Sequence, residues 1–364
     1  MIFISASRHN SAANRARFGD VKRLAWIDAL RGYAIIGVLV VHIAGVANGA
    51  RGVQLFFMAS ALALLHSWHS RKDNARGFYT RRLFRIAPMF WLAIPAFFWL
   101  STLTHAEQIS LGQIISATLF LHWTTPDWQN AAVPGSWSIG CEILFYGAFP
   151  FLAARIDSLE KSLIAAGAAT IVAALAWPCL VAYAAAMGVD AATERNTFAF
   201  VSITTQFPCF MIGFCVYFAA HHEWIKRSTS LGAVAGLSFL LATFVFRPQS
   251  SAFYLAYCIA FALIANAMAA GKMSALTNRA VIGLGVISYS AYFWHFFWIE
   301  LLRWEAPTAA GQLSWSLAVI GLTIVSSAIT YRIIERPGIR LGAILAASQA
   351  ENGGAKTQPT KAQR

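Results

Sequence analysis

Ten apolar runs, each long enough for a membrane-crossing helix, follow one another along this chain and constrain its fold more than any other feature. A helix needs about 20 mainly apolar residues to cross the hydrocarbon core of a bilayer. The predicted spans lie near residues 32–50, 52–69, 86–104, 137–154, 162–185, 199–219, 231–247, 252–270, 281–302 and 313–333. Because helices satisfy their backbone hydrogen bonds internally, the sequence predicts an all-α, polytopic helical bundle in a lipid bilayer.

The composition supports lipid as the solvent of this chain. Of its 364 residues, 58% are hydrophobic and 12% are charged, whereas soluble domains contain roughly 25% charged residues. The net charge of +13 comes from short basic clusters between the apolar runs. That distribution is typical of the positive-inside pattern of membrane proteins and argues against nucleic acid as a partner.

The run 111–123 is too short to cross the bilayer comfortably, and the distribution of Lys and Arg predicts that it does not. If it stays on one side and the N-terminus is cytoplasmic, 24 of the 28 Lys and Arg lie inside. If it crosses, the split becomes 15 inside against 13 outside, which ignores the positive-inside bias. We therefore predict ten spans, one short re-entrant or interfacial helix, and both termini in the cytoplasm. The outer basic residues are then Arg51, Arg195, Arg247 and Arg303.

Polar ends frame one membrane domain. Residues 1–27 form a predicted cytoplasmic basic segment, and residues 28–340 form the predicted transmembrane domain. Residues 341–364 are predicted to be a cytoplasmic tail, disordered because its end is polar and contains Gly. The five cysteines lie in or beside apolar runs without metal-ligand spacing, so we interpret them as packing residues and predict no metal site.

The first span carries an Arg and a His whose spacing is informative. Arg31 and His42 are 11 residues apart, which on a helix is about three turns, or roughly 16 Å, along one face. Ionisable groups at membrane depth are costly and are therefore candidates for function. The pair could hold both ends of one long anionic ligand. Alternatively, His42 bonds a neighbouring helix and Arg31 anchors to lipid headgroups.

Two later segments add ionisable residues. Arg82 and Arg85, in RRLFRIAP, share a helix face at the membrane entry. Their guanidinium groups could bind phosphate oxygens in pairs, or they could simply anchor the span. Glu142 and Tyr146 share a face of the fourth span. This carboxylate either pairs with a histidine on a facing helix or faces a watery vestibule.

In the ninth span, Ser288, Tyr292 and His295 line one face, although such aromatic-rich runs are also typical of interfacial belts. The sequence contains no Walker loop, no GxGxxG after a strand, no HExxH helix and no GxSxG elbow. The histidines, the glutamate and the arginines together suit proton abstraction from a hydroxyl beside an anionic cosubstrate.

Taken in order, these segments resemble the acyltransferase 3 family of bacterial membrane O-acyltransferases. The resemblance runs from Asp28 to Pro337, which is nearly the whole chain. The similar segments are IDALRGYAIIGVLVVHI, GVQLFFMASALAL, RRLFRIAP, GSWSIGCEILFY, ISYSAYFWH and IIERP.

The resemblance implies transfer of an acyl group, usually acetyl, from cytoplasmic acyl-CoA to a sugar hydroxyl. The expected acceptor is a cell-surface polysaccharide or lipid-linked glycan, and the expected location is a bacterial inner membrane. His42 would be the general base, and Glu142 would orient His42 or share its proton, with Arg31 also catalytic. Arg82 and Arg85 would bind the acyl-CoA phosphates. Expected substrate-binding residues are Asp28, Trp137, Tyr146, Ser288 and His295.

Some positions depart from the family pattern. Gln54 stands where an acid is usual, Ala61 follows Ser60 in place of Gly, and Ile143 and Leu144 replace an acid and a Gln. These changes weaken any mechanism that needs a second carboxylate. Because the chain ends soon after its last span, we expect the stand-alone type, without an appended hydrolase-like domain.

The residues alone leave a second function open. Ten spans, inner arginines and intramembrane histidines would also serve a transporter or flippase for an anionic lipid or glycan. No inverted repeat of broken spans is evident in the sequence, which counts mildly against this alternative. Consumption of acyl-CoA would distinguish the two.

Overall fold

The structure, a computed structural model, describes residues 24–45, 51–71, 74–104, 108–246, 253–303 and 308–355. Residues 1–23 and 356–364 of the predicted terminal segments, and Arg247, lie outside the described residues. Within the described ranges the chain forms thirteen α-helices, joined in part by 3₁₀ turns and by one π-turn, Tyr331–Glu335. The helices are α1 (Ala25–Ala44), α2 (Gly52–Arg71), α3 (Ala75–Leu103), α4 (Leu111–Thr118), α5 (Trp137–Arg155), α6 (Leu159–Ala186), α7 (Ala192–Val201), α8 (Ile203–Ala219), α9 (Glu223–Phe246), α10 (Tyr254–Ala269), α11 (Arg279–Leu301), α12 (Ala309–Thr330) and α13 (Arg336–Ala355).

The described part of each predicted span falls largely on these helices, which confirms a polytopic helical membrane bundle. Residues 46–50 of the first predicted span lie outside the described residues. In the described part of the chain, seven helical stretches are long and apolar enough to cross a bilayer. They are α1, α3, α5, α6, α7 with α8, α11, and α12 with α13. Shorter apolar segments lie in α9 and α10, at Ser228–Thr243 and Tyr254–Ala269.

The short run 111–123 forms the eight-residue helix α4 and a following 3₁₀ turn. Eight residues of helix rise only about 12 Å, against a hydrocarbon core of about 30 Å. A capping box begins α4: the Gln113 amide N–H donates to Ser110 Oγ, and the Ser110 amide N–H donates to Gln113 Oε1 at 2.8 Å. The prediction that this run does not span is therefore confirmed.

Local caps account for two of the places where the helices differ from the predicted spans. α3 begins at Ala75 rather than near residue 86, since Asn74 Oδ1 accepts a hydrogen bond from the Gly77 amide at 2.7 Å. The arginines of RRLFRIAP therefore lie within α3 itself. The predicted span 199–219 is interrupted at Ser202, whose extended backbone ends α7 and whose side chain caps α8.

The C-terminal segment predicted to be disordered is instead helical as far as Ala355. α13 packs along α3, where Gly342 lies so close to Phe84 that an added Cβ would be 2.7 Å from the Phe84 Cβ. Farther along, Thr80 Oγ1 donates a hydrogen bond to Gln349 Oε1 at 3.1 Å. A polar composition favours disorder in isolation, but these tertiary contacts stabilise the helix against α3.

Two glycines bring α1 and α11 into backbone contact. Gly32 lies against the backbone of Val281, and Gly285 lies against the carbonyl oxygen of Asp28. A Cβ at either glycine would overlap those backbone atoms. This close approach places the polar residues of α1 directly beside those of α11.

A stacked aromatic core ties α2, α5 and α8 together. The Phe145 and Phe210 rings lie 4.1 Å apart between centroids, and the Phe57 and Phe210 rings lie 4.6 Å apart. All three side chains are buried. Aromatic pairs of this kind contribute about 0.5–1.5 kcal/mol beyond the burial of their area. This core therefore packs α2 firmly against α5, and both helices also line the candidate site.

Candidate active site

Two cavities lie among α1, α2, α5 and α11, and we name them inner and outer after the predicted orientation. The inner cavity has a volume of about 70 Å³ and the outer cavity about 550 Å³. Val53 on α2 and Tyr292 on α11 line both cavities and so form a shared wall. The predicted site residues that line the inner cavity are Arg31, Arg82, Arg85, Glu142, Tyr146 and Ser288. Those that line the outer cavity are His42 and Trp137.

The inner cavity is suited to an anion. Arg82 and Arg85, one turn apart on α3, line it together with Arg31 of α1. The Arg82 guanidinium lies 6.0 Å from the Phe78 ring, and its buried Nε has no hydrogen-bond partner. Arg31 Nη1 lies 3.7 Å from a carboxylate oxygen of the buried Asp28. A phosphate group would supply the missing acceptor for Arg82, since guanidinium N–H groups match phosphate oxygens.

Glu142 lines the inner cavity, and its hydrogen-bond partner is Tyr146 and not His42 of α1. Its Oε2 accepts a hydrogen bond from Tyr146 Oη, one turn along α5, at 2.9 Å. Its charge interacts with that of Arg82. The sequence predicted that Glu142 orients His42, but each has a different hydrogen-bond partner. The reason is that α5 presents this carboxylate towards α3, whereas His42 faces α11.

Tyr292 is held rigidly in the wall between the cavities. Its hydroxyl donates to the carbonyl oxygen of Gly135 at 3.0 Å and accepts from Ser138 Oγ at 3.1 Å. Gly135 has a φ of +77°, and an added Cβ there would lie 2.8 Å from the Tyr292 hydroxyl. The loop before α5 therefore needs glycine at this position to support the tyrosine.

His42 and His295 form a hydrogen-bonded pair across α1 and α11. His42 Nδ1 lies 3.1 Å from His295 Nε2, and the two rings are nearly parallel with 5.2 Å between centroids. His295 Nδ1 lies 3.0 Å from the carbonyl oxygen of Ala291. His295 is fully buried, whereas His42 is exposed to the outer cavity.

This pattern assigns the protons on both rings. A carbonyl oxygen only accepts, so His295 Nδ1 carries a proton and donates it to Ala291. Burial favours the neutral imidazole, which leaves the His295 Nε2 lone pair as an acceptor. His42 Nδ1 must then be the donor between the rings. The lone pair of His42 therefore lies on Nε2, the nitrogen that does not face His295, and is available to accept a proton.

The outer cavity offers the surfaces that a polar ligand needs. Gln54 and Asn130 add amide groups to its wall, and Trp137 and Phe296 add aromatic faces. The Phe296 ring lies 4.6 Å from the His42 ring between centroids. Pockets with a few placed polar groups on an apolar lining are typical of small-molecule sites.

A buried carboxylate supports the inner cavity from behind. Glu335, at the end of the π-turn, accepts a hydrogen bond from Ser290 Oγ, and Ser290 Oγ accepts one from Thr330 Oγ1 at 3.0 Å. Its charge interacts with that of Arg85. The π-turn is what brings this carboxylate inward, so the motif IIERP has a structural role behind the arginines.

The segment between α3 and α5 contributes a buried histidine. His122 Nε2 donates to the carbonyl oxygen of Ser136 at 2.9 Å, and its buried Nδ1 has no hydrogen-bond partner. Burial lowers the pKa of His122 below its usual value, because the charged ring would be poorly solvated. This neutral histidine fixes the residue that precedes α5.

The structure thus divides the predicted site residues between two neighbouring cavities. His295 supports His42, and Asp28 supports Arg31 without lining either cavity. The sequence pattern placed Tyr292 on one face with Ser288 and His295, but Tyr292 was not among the expected substrate-binding residues. A single residue with a hydroxyl or amide side chain in an apolar run has no spacing pattern that would mark it as part of a site. Those missed at the cavities are Gln54, Ser60, Asn130, Ser138 and Tyr289.

Comparison with known proteins identifies a matching family model and several relatives. A family model described as an acyltransferase domain, Acyl_transf_3, matches residues 24–332. The chain is 24% identical to the O-acetyltransferase OatA of Staphylococcus aureus over 354 residues, which cover 86% of this chain and 57% of that protein. It is 25% identical to the acyltransferase MdmB of Streptomyces mycarofaciens, over 88% of this chain and 93% of that protein.

A putative O-acetyltransferase of Staphylococcus aureus is 20% identical, over 90% of this chain and 59% of that protein. The chain thus spans somewhat over half the length of the O-acetyltransferases it matches. No solved structure matches it significantly. The family match begins just before α1 and extends past the end of α12, so it includes both cavities. The chain therefore belongs to the acyltransferase 3 family.

Proposed function

We propose that this protein transfers an acyl group, acetyl in the first instance, from acyl-CoA to a sugar hydroxyl, with His42 as the general base. The observation that carries the proposal is the His42–His295 pair, which leaves His42 Nε2 free to accept a proton in a ligand-sized cavity. The arginine-lined cavity on the other side of the Val53–Tyr292 wall supports an anionic donor. The names of the relatives OatA and MdmB support acyl transfer.

The donor would bind through its phosphates. Arg82, with its unsatisfied buried Nε, and Arg85 would hold phosphate oxygens, while Arg31 would be positioned by Asp28. Fixing the donor in this way makes the reaction effectively intramolecular, which is worth about 7–11 kcal/mol in well-oriented systems. The thioester would then meet the acceptor at the shared wall.

The chemical step would proceed by direct attack. The acceptor hydroxyl oxygen forms a bond to the thioester carbonyl carbon as His42 Nε2 takes the hydroxyl proton. The carbon–sulfur bond then breaks, and the leaving thiolate recovers that proton as free CoA while the new oxygen ester remains on the acceptor. General-base assistance of this kind contributes about 10²–10⁴-fold to the rate. Throughout the reaction, His295 Nε2 would accept the hydrogen bond from His42 Nδ1 and so stabilise His42.

The acceptor would occupy the outer cavity. Trp137 and Phe296 offer flat faces for a sugar ring, and Gln54 and Asn130 offer hydrogen bonds to its hydroxyls. We infer a cell-surface polysaccharide or lipid-linked glycan as the acceptor, in a bacterial inner membrane with both termini cytoplasmic. In that orientation the donor would enter from the cytoplasm and the acceptor from the opposite face.

The test uses native-host membranes, so that the acceptor is present. We expect membranes with the wild-type protein to release CoA from labelled acetyl-CoA and to move label into a glycan fraction. His42→Ala should abolish both, because no base then accepts the hydroxyl proton. His221→Ala is the matched control, since the exposed His221 ring bonds the Tyr217 carbonyl oxygen and lines neither cavity. Substantial transfer by His42→Ala would contradict the proposal, and unlabelled glycan with every variant would favour a transporter.

A further inference from the structure

An arginine at the start of α2 lies deeper in the bundle than its place in the sequence suggests. Arg51 immediately precedes Gly52, and Gly52 packs on the middle of α1: an added Cβ would be 3.1 Å from Val38 Cγ2. Val38 lies four residues before His42, which is about 6 Å along the helix. Arg51 therefore lies near the level of the outer cavity and not beyond the end of α1.

The surroundings of this guanidinium are apolar and aromatic. Its central carbon lies 5.6 Å from the Phe200 ring and 5.5 Å from the Tyr257 ring. The buried Arg51 Nε has no hydrogen-bond partner, and neither has the buried Tyr257 hydroxyl. Among the residues that the structure describes, no carboxylate pairs with Arg51. A cation held in low-dielectric surroundings without a counter-ion is costly, so an arriving anion would be strongly stabilised.

Arg51 lies directly behind the lining of the cavity assigned to the acceptor, although it is not itself a lining residue. Phe200, over which its guanidinium lies, is part of the outer-cavity lining. So is Gln54, one turn along α2 from Arg51. Gln54 Nε2 donates to Gln206 Oε1 at 3.0 Å, but its buried Oε1 has no partner. The unsatisfied buried donor of Arg51 and the unsatisfied buried acceptor of Gln54 thus lie one turn apart, at or just behind the wall of one cavity.

From this arrangement we propose that Arg51 binds an anionic group of the acceptor, a phosphate or a carboxylate on the sugar. The inference rests on the proposed function, because it assumes that the outer cavity holds the acceptor. The planar guanidinium matches both anions with paired N–H donors, and Gln54 Oε1 accepts from a neighbouring hydroxyl. An anionic sugar fixed at Arg51 presents another hydroxyl to His42. The acceptor class is therefore anionic sugars and not neutral ones.

Direct binding to the purified full-length protein in detergent tests this without requiring turnover. The probes are labelled glucose 1-phosphate, glucuronic acid and glucose. We expect the wild type to bind at least one of the two charged sugars more tightly than glucose, by about 10-fold or more, as is typical of hydrogen bonds to charged groups. Preference for glucose 1-phosphate would identify a phosphate site, and preference for glucuronic acid a carboxylate site.

Arg51→Gln should remove the preference, so that the variant binds the charged sugar no more tightly than it binds glucose. Arg303→Gln is the matched control, because Arg303 is an exposed outer arginine paired with Glu300 at 2.6 Å. Arg51→Lys should retain part of the preference, since it keeps the charge and loses the paired donors. Equal wild-type binding of all three sugars would overturn the proposal, and this comparison decides even where Arg51→Gln proves unstable. A preference that survives in Arg51→Gln would also overturn it.

The outcomes also separate this inference from the proposed function. Acyl transfer that depends on His42 but is indifferent to acceptor charge would refute only the role of Arg51. Binding that depends on Arg51, in a protein that transfers no acyl group in native membranes, would refute the proposed function and retain the anion site.

Discussion

His295 offers the sharpest test of how His42 is activated. We consider His295→Phe, which keeps a flat ring of similar size in a fully buried position but removes the acceptor for His42 Nδ1. The exposed His42 ring would then be free to rotate and to place its proton on either nitrogen. The general base would remain present, but it would spend less time with the Nε2 lone pair directed at the acceptor.

The expected magnitude follows from that single hydrogen bond. A neutral hydrogen bond contributes about 0.5–1.5 kcal/mol net, which corresponds to roughly a 2- to 13-fold change in rate. We therefore expect His295→Phe to lower kcat by about that factor. His42→Ala, which removes the base itself, should cost about 10²–10⁴-fold. His295→Gln should recover part of the loss, because its side-chain carbonyl can accept from His42 Nδ1.

The assay is transfer of label from acetyl-CoA to glycan, with kcat and the KM for acetyl-CoA measured separately for each variant. The KM should not change, because His295 does not line the arginine cavity. An unchanged kcat in His295→Phe would refute the positioning role. A loss as large as that of His42→Ala would also refute it, since His295 would then take part in the chemistry directly. A Gln variant no better than Phe would show that the acceptor atom is irrelevant.

Three further predictions follow from the packing and charges. Gly285→Ala should lower the free energy of unfolding by about 1–3 kcal/mol, because its Cβ would overlap the α1 backbone. This loss should appear as a lower thermal midpoint in detergent. Gly283→Ala, with open space around the added Cβ, should leave the midpoint unchanged. Arg82→Gln with Arg85→Gln should raise the KM for acetyl-CoA, and an unchanged KM would indicate membrane anchoring only. Burial lowers the pKa of His122 in the folded protein below the ordinary histidine value of 6.5. As the pH falls below 6.5 the unfolded chain therefore binds a proton that the folded protein does not, so the free energy of unfolding should decrease. Unfolding measured against pH should show less of this loss in His122→Gln than in the wild type.

The local sequence pattern was sufficient to predict most of the helices. The length and polarity of the apolar runs predicted the helices, because one helix must satisfy its own backbone in lipid. The short run 111–123 could likewise be rejected as a span, from its length together with the distribution of Lys and Arg. Polar composition misled at 341–355, because contacts with Phe84 and Thr80 on a distant helix stabilise that segment.

The spacing of Arg31 and His42, and of Arg82 and Arg85, could be read directly, since both members of each pair lie on one helix of known pitch. Which helices face one another could not. The hydrogen bond between His42 and His295 joins residues 253 positions apart, and it exists because glycines let α1 and α11 meet. Periodicity describes a single helix and carries no information about its neighbours. The sequence by itself thus determined the apolar helices and the candidate residues on them. Only tertiary packing decided that α13 is helical, that Glu142 lies with the arginines and that His42 lies with His295.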